Sequence, residues 1–153
     1  MKLQKAIICL LVFMIVLTGC RKETLEFEAF ANHMGLVEES EYGKIMMEFS
    51  KLDGEDIRSF STQEGKKYEF QYNYLITEGA IEVQFRDSQG NVITSINLSE
   101  DEYKEEKESL QEESNGPVEI HEFCRVISVK SRDKRIKIAL IGKEAKGNFN
   151  ITW

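Results

Sequence analysis

Short runs of alternating apolar and polar residues dominate the chain from Lys44 onward. Such period-two alternation is typical of β-strands that bury one face. Comparable runs lie at 45–50, 81–86, 92–98, 118–129, 136–140 and 148–153. The most regular run, at 67–74, carries an aromatic face made of Tyr68, Phe70, Tyr72 and Tyr74. We interpret this face as core, and not as a platform for stacking sugars, because the opposite face of the strand is polar.

Two groups of turn-forming residues separate some of these runs, at 53–56 and 87–90. The second group is typical of a hairpin connection. Both groups could offer oxygen ligands to calcium, but neither has the alternate-residue ligand spacing of an EF-hand loop, so we interpret both as turns. The alternation slips between Ile120 and Phe123, which predicts a β-bulge in the 118–129 strand.

An acidic segment from Ser99 to Gly116 interrupts the strand pattern. Ser99 and Glu102 have the spacing of a helix capping box, and Glu100 and Lys104 have the spacing of a favourable ion pair within a helix. Few apolar residues accompany them. The segment therefore predicts one short acidic helix at the surface, in an excursion between strands.

Several half-buried strands and at most one surface helix predict an all-β fold, an antiparallel β-sandwich. Strands with one apolar face must pack those faces together, which defines the core. The predicted core residues are Phe49, Tyr68, Phe70, Tyr72, Val83, Phe85, Ile138, Leu140, Phe149, Ile151 and Trp153.

Four segments of the strand region, at 49–54, 65–72, 83–90 and 147–153, resemble bacterial pre-peptidase C-terminal domains. The resemblance implies a jelly-roll-like sandwich extending over about 44–153. The acidic 99–116 segment departs from the family pattern. The enzyme-targeting role of that family is therefore not carried over to this chain.

The first 20 residues have the pattern of an export signal. A basic start at 1–5 precedes an apolar run at 6–18, which is too short to span a bilayer as a helix. Residues 17–20, Leu-Thr-Gly-Cys, resemble the lipobox of bacterial prolipoproteins. The resemblance implies cleavage before Cys20, a diacylglyceryl group on its thiol, and attachment to the extracytoplasmic face of the cell membrane. An ordinary secretory signal with an accidental cysteine is the alternative.

These patterns divide the chain into a signal peptide at 1–19, a tether at 20–43 that begins with the lipidated cysteine, and a sandwich domain at 44–153. The tether could include a helical turn, since Phe27, Phe30 and Met34 share a helical face, although 25–29 also alternates as a strand does. Fully extended, it would reach on the order of 75 Å and hold the domain clear of the headgroups.

The net charge limits the possible partners of the chain, and the cysteine count limits its possible disulfides. The 153-residue chain has a formal net charge of −7, which makes nucleic acid a poor partner. Cys9 leaves with the signal peptide and Cys20 is consumed by lipid, so Cys124 alone remains and no disulfide is expected within the domain. We expect Cys124 to be a small buried hydrophobic residue and the domain to be a monomer.

Catalytic and metal-binding patterns are scarce. His121 and Cys124 are three apart on a predicted strand and therefore on opposite faces, and His33 lies in the tether. We expect no catalytic residue, metal or cofactor. The sequence favours a non-catalytic module at the cell envelope that binds a protein or glycan, with the 99–116 segment as the first candidate binding region. The alternative is a small carboxylate-dependent hydrolase acting on envelope glycans or peptides, for which no carboxylate pair can be nominated.

Overall fold

The computed structural model describes residues 23–114 and 124–153. Cys20, His121 and the predicted bulge between Ile120 and Phe123 lie outside the described residues. The elements are β1 (Leu25–Ala29), β2 (Asn32–Met34), β3 (Val37–Glu41), β4 (Lys44–Ser61), β5 (Lys67–Arg86), β6 (Val92–Ser99), α1 (Glu100–Ser114), β7 (Arg125–Lys130) and β8 (Arg135–Thr152).

Three long antiparallel strands, in the order β4-β8-β5, organise the fold, and each contributes one half to each of two layers. Layer A has the order β3-β4-β8-β5-β7 and uses 44–49, 147–152 and 67–76 of the long strands. Layer B has the order β1-β4-β8-β5-β6 and uses 54–61, 135–142 and 80–86. The predicted all-β antiparallel sandwich is confirmed.

The long strands pass from one layer to the other at bulges, which the sequence did not predict as such. Residues 53–56 were expected to form a turn, but they continue β4, with register shifts between Phe49 and Gly54. β5 shifts register between Ile76 and Ala80, where Gly79 has φ +69°. Bulges let a strand turn a corner between two packed sheets without ending, so the sequence predicted two short strands in place of β5 and two in place of β8.

This folding-over gives the molecule two distinct ends. The bend end carries the bulges of β4, β5 and β8, around Gly54, Gly79 and 142–147. The loop end carries the connections 62–66 and 131–134, which pair through hydrogen bonds from Gly65 N to Ser131 O (2.9 Å) and from Ser131 N to Lys66 O (2.9 Å).

The core lies between the layers, as predicted. Phe70 of layer A packs on Phe85 of layer B with ring centroids 4.7 Å apart, and Trp153 stacks on Phe60 at 4.7 Å. Every predicted core residue is buried or packed against the buried cluster, including the four aromatic residues of the 67–74 run. The interpretation of that aromatic face as core is confirmed.

The helical turn expected between residues 20 and 43 is wrong. Residues 25–41 form three short strands that pair with successive parts of β4, from Leu25 opposite Phe60 to Glu41 opposite Lys44. The strand alternative at 25–29 is correct. The physical reason is that the outer edge of β4 presents unpaired N–H and C=O groups along its whole length, and these short strands supply their partners.

The acidic helix is confirmed, but it is more than a solvated excursion. Its cap is as predicted, with Glu102 N donating to Ser99 Oγ at 3.2 Å. Tyr103 packs edge-on against the ring of Tyr74 at 6.2 Å, and Glu106 accepts hydrogen bonds from Tyr74 Oη (3.3 Å) and Arg125 Nε (2.8 Å). The helix thus covers the core beside β5, and its deletion would uncover Tyr74.

Candidate functional site

A cluster of charged side chains lies inside the sandwich, at the edge formed by β1, β2 and β3. Arg58 and Asp56 are both fully buried and form an ion pair. Arg58 Nη2 also donates to Glu38 Oε1 at 2.8 Å, and His33 Nε2 lies 3.6 Å from Asp56 Oδ2. The Arg58 guanidinium sits 4.2 Å from the centroid of the Phe27 ring, which covers it from outside.

The chemistry of this buried charge cluster fits a structural role and not acid catalysis. Burial by itself would raise the pKa of Glu38, but hydrogen bonds from Ser40 and Arg58 and the charge of Arg58 outweigh it and lower the pKa. A carboxyl group with a lowered pKa stays ionised and accepts hydrogen bonds, whereas a general acid needs a raised pKa. Glu38 is therefore poorly suited to donate a proton in hydrolysis.

The outer face of layer B carries many charges that neutralise one another. Three cations on its long strands are paired with acids of β1 and β4: Arg86 with Glu55 at 2.7 Å, Lys137 with Glu28 at 2.7 Å, and Arg135 with Glu26 at 2.6 Å. Charged groups that are already paired at short distance offer little hydrogen-bonding capacity to a ligand.

The outer face of layer A has a different chemistry, because the middle of its two central strands carries neutral side chains, whereas the charged Lys67 and Glu69 lie at the start of β5. We call Gln71 and Asn73 of β5 together with Asn148 and Asn150 of β8 the amide face. Asn150 Nδ2 donates to Asn73 Oδ1 at 2.8 Å, so these two amides are in contact. Asparagine is depleted in β-strands. Residues that are unfavourable for the secondary structure they occupy are often found at functional sites.

Two shallow depressions flank the amide face and share Glu48 and Asn148. One, of about 240 Å³, is also lined by Val37, Met46 and Asn150. The other, of about 190 Å³, extends along Leu75 and Thr77 towards the bend end. An amide can donate and accept hydrogen bonds at once, and the aliphatic side chains add apolar contact area. The surface therefore suits an extended ligand rich in hydroxyl groups.

The two remaining candidate residues of the described chain, His33 and Cys124, lie in different surroundings. His33 belongs to the charge cluster. Cys124 was expected to be buried, but it is exposed, with Sγ 3.7 Å from Gln71 Oε1. The reason is its position: Cys124 precedes β7 and stands beside the outward-facing Gln71, whereas the core positions of that strand are Ile127 and Val129.

The 87–91 segment is a turn, as interpreted from the sequence. Asp87 Oδ1 accepts hydrogen bonds from Gln89 N (3.0 Å) and Asn91 N (2.9 Å). The side-chain hydrogen bond from Asn91 is the main cause that lowers the pKa of Asp87. Across 23–114 and 124–153, no three His, Cys, Asp or Glu side chains come together in a way that could hold a metal ion.

Sequence reasoning named the four amides only as polar positions on strands and placed the binding region in the 99–116 segment instead. The missed signal was asparagine repeated at mid-strand positions, at Asn73, Asn148 and Asn150.

Within the described part of the chain, no helix is both long and apolar enough to cross a membrane.

No protein-family model and no curated protein matches the sequence. Among solved structures, the chain is similar to a carbohydrate-binding module of Cellvibrio mixtus lichenase 5A in complex with cellotriose, at 13% identity and a TM-score of 0.41, covering 85% of this chain and 92% of that one. It is also similar to a module specific for non-crystalline cellulose, at 12% identity and a TM-score of 0.41, covering 79% and 82%.

A third similar structure is a module from Clostridium stercorarium in complex with cellobiose, at 12% identity and a TM-score of 0.37, covering 84% of this chain and 85% of that one. At these TM-scores and identities, what this chain binds has to be argued from its own residues.

Proposed function

We propose that this protein is a non-catalytic binding module, attached through lipid on Cys20 to the extracytoplasmic face of a membrane, and that its amide face binds a neutral glycan. The observation that carries the proposal is the contrast between the two outer faces. The charged side chains on the outer face of layer B are paired with one another, whereas the middle of the two central strands of layer A carries neutral, partly exposed amides.

A neutral glycan fits this chemistry better than a charged ligand does. Gln71, Asn73, Asn148 and Asn150 can each donate to one sugar hydroxyl and accept from another. Val37, Met46 and Leu75 lie beside them and can pack against the C–H faces of sugar rings. The two charges on the outer face of these central strands, Lys67 and Glu69, lie 3.7 Å apart and neutralise each other, so a charged ligand would find little net opposite charge there.

Affinity gel electrophoresis with soluble neutral polysaccharides (β-glucan, xylan, mannan and galactan) and with polygalacturonate tests the ligand class. The test variant combines Asn148→Ala with Asn150→Ala. Each lost hydrogen bond is worth about 0.5–1.5 kcal/mol, so we expect retention by at least one neutral polysaccharide to weaken roughly tenfold. Asn97→Ala is the matched control, because Asn97 is an exposed strand amide on the outer face of layer B.

Two results would contradict the glycan proposal. One is binding to polygalacturonate alone. The other is equal retention of the double variant, the control variant and the unaltered protein by every neutral polysaccharide.

The membrane attachment is supported by the Leu-Thr-Gly-Cys pattern at 17–20 and by the apolar run that precedes it. Two or more acyl chains bind a bilayer stably, whereas one chain binds reversibly. We expect the processed protein to partition into the detergent phase of a Triton X-114 extract and the Cys20→Ser variant to remain in the aqueous phase. A Cys20→Ser variant that partitions with detergent to the same extent would refute the anchor.

A further inference from the structure

One acidic side chain stands where the two depressions beside the amide face meet. Glu48 lines both of them, as does Asn148, which lies opposite Glu48 in the pairing of β4 with β8. Directly opposite residues of paired strands have Cβ atoms about 4.5–5.5 Å apart, so their side chains can reach the same group of a ligand. Glu48 is exposed and Asn148 is half-buried, so both are open to a ligand at the outer surface.

The row of side chains that crosses the sheet at this point has an aliphatic residue on each side. Val37 of β3 lies opposite Glu48, and Leu75 of β5 lies opposite Asn148. The carboxylate and the amide therefore stand between two apolar side chains. A sugar ring has hydroxyl groups around its rim and C–H groups on its faces, so a ring placed on this row would meet the polar groups that fix its orientation and the apolar groups that pack against it.

The Glu48 carboxylate is not engaged by a neighbouring cation, unlike two other acids of the same outer face. Glu39 pairs with Lys44 at 2.7 Å, and Glu69 pairs with Lys67 at 3.7 Å. In the part of the chain that the structure describes, no hydrogen bond or ion pair joins the Glu48 carboxylate to another side chain. Its two oxygens are therefore open to hydrogen-bond donors from a ligand.

A carboxylate differs from the four amides because it accepts hydrogen bonds and donates none. It can accept from two hydroxyl groups on adjacent carbons of one ring, one at each oxygen, and such charge-assisted hydrogen bonds are about twice as strong as those between neutral groups. A site built to bond a hydroxyl group discriminates against a ligand that lacks it, because the polar group of the site is then covered without a partner. An open carboxylate among amides is thus placed to select between neutral glycans.

We infer that Glu48 is a specificity-determining residue of the amide face and that it selects glycans whose rings keep two adjacent free hydroxyl groups. The inference rests on the proposed binding of a neutral glycan. It divides that ligand class by linkage, since an unsubstituted ring of a 1,4-linked glycan keeps such a pair, whereas a ring inside a 1,3-linked glucan keeps none. The module should therefore favour 1,4-linked chains, and the preference should depend on Glu48.

Affinity gels with soluble 1,4-linked glucomannan, xylan and galactan, and with a linear 1,3-linked β-glucan, measure this preference. Glu48→Gln keeps the size of the side chain and removes its charge. We expect its retention by at least one 1,4-linked glycan to weaken roughly tenfold, because hydrogen bonds to a charged acceptor are the stronger ones, and its retention by the 1,3-linked glucan to stay unchanged. Glu69→Gln is the matched control, since it removes the same charge from the same outer face at the start of β5, and it should keep the preference.

These gels distinguish a failure of the inference from a failure of the glycan proposal. If Asn148→Ala with Asn150→Ala weakens retention while Glu48→Gln behaves like Glu69→Gln, the inference is wrong and the glycan proposal stands. Equal retention of the unaltered protein by 1,3-linked and 1,4-linked chains would also overturn the inference. Retention by none of the neutral polysaccharides would overturn both, and so would retention by chitosan alone, since Glu48 would then pair with an ammonium group.

Discussion

Replacing Arg58 by methionine removes the centre of the buried charge cluster. Arg58 and Asp56 are both fully buried, and Arg58 also holds Glu38 at 2.8 Å. Methionine keeps most of the side-chain volume but leaves the Asp56 carboxylate inside the sandwich without its guanidinium partner. Removing one partner of a buried ion pair costs about 3–5 kcal/mol of unfolding free energy, a large part of the roughly 5–15 kcal/mol that stabilises a domain.

Urea unfolding followed by circular dichroism measures this loss. With a urea dependence of about 2 kcal/mol per M, the midpoint should fall by about 2 M. Lys137→Met is the control, since it breaks the partly exposed Lys137–Glu28 pair and should cost no more than about 1 kcal/mol. The double variant Arg58→Met with Asp56→Leu should recover part of the loss, because no unpaired charge then remains buried.

The pH dependence gives a second measurement on the same cluster. The pKa of Glu38 is lowered in the folded state, so its ionised form stabilises the fold. This contribution to the unfolding free energy is complete above the unfolded-state pKa of about 4.3, and it is lost as the pH falls through the folded-state pKa. Without Arg58 this acid-side loss should be shallower. A loss of under about 1 kcal/mol at neutral pH, together with an unchanged acid dependence, would show that the cluster does not stabilise the fold.

Three further predictions concern single positions. Phe85→Ala should cost about 3–5 kcal/mol in urea unfolding, since Phe85 is fully buried, and a cost below about 1 kcal/mol would mean that its ring is not packed in the core. Gly147→Ala should destabilise far more than Gly90→Ala, because a Cβ at Gly147 would overlap the Leu75 carbonyl whereas Gly90 faces open space; equal melting temperatures would contradict this. Cys124 should react with Ellman's reagent in the native protein at the rate of an exposed thiol, and a reaction that requires denaturant would contradict its exposure.

Alternation along the chain was enough to predict the sandwich and its core. Tyr68, Phe70, Tyr72 and Tyr74 had to share a face whatever the topology, since successive side chains of a strand point to opposite sides. The cap of α1 was equally local, because Ser99 and Glu102 interact within one helical turn. Local patterns of this kind do not depend on tertiary contacts, so the sequence alone predicts them.

Tertiary structure decided the features that depend on distant partners. Residues 53–56 have turn-forming composition, yet they continue β4 because β8 pairs along both halves of that strand. Arg58 is polar by sequence but buried by structure, since Asp56 and Glu38 compensate its charge at that edge.

The amide face shows the same division. The sequence alone determined that asparagines occupy strand positions. Only pairing between β5 and β8 joined the asparagines on one exposed surface. The physical reason is that alternation assigns a residue to a face, whereas the neighbours on that face come from strands far apart in the chain.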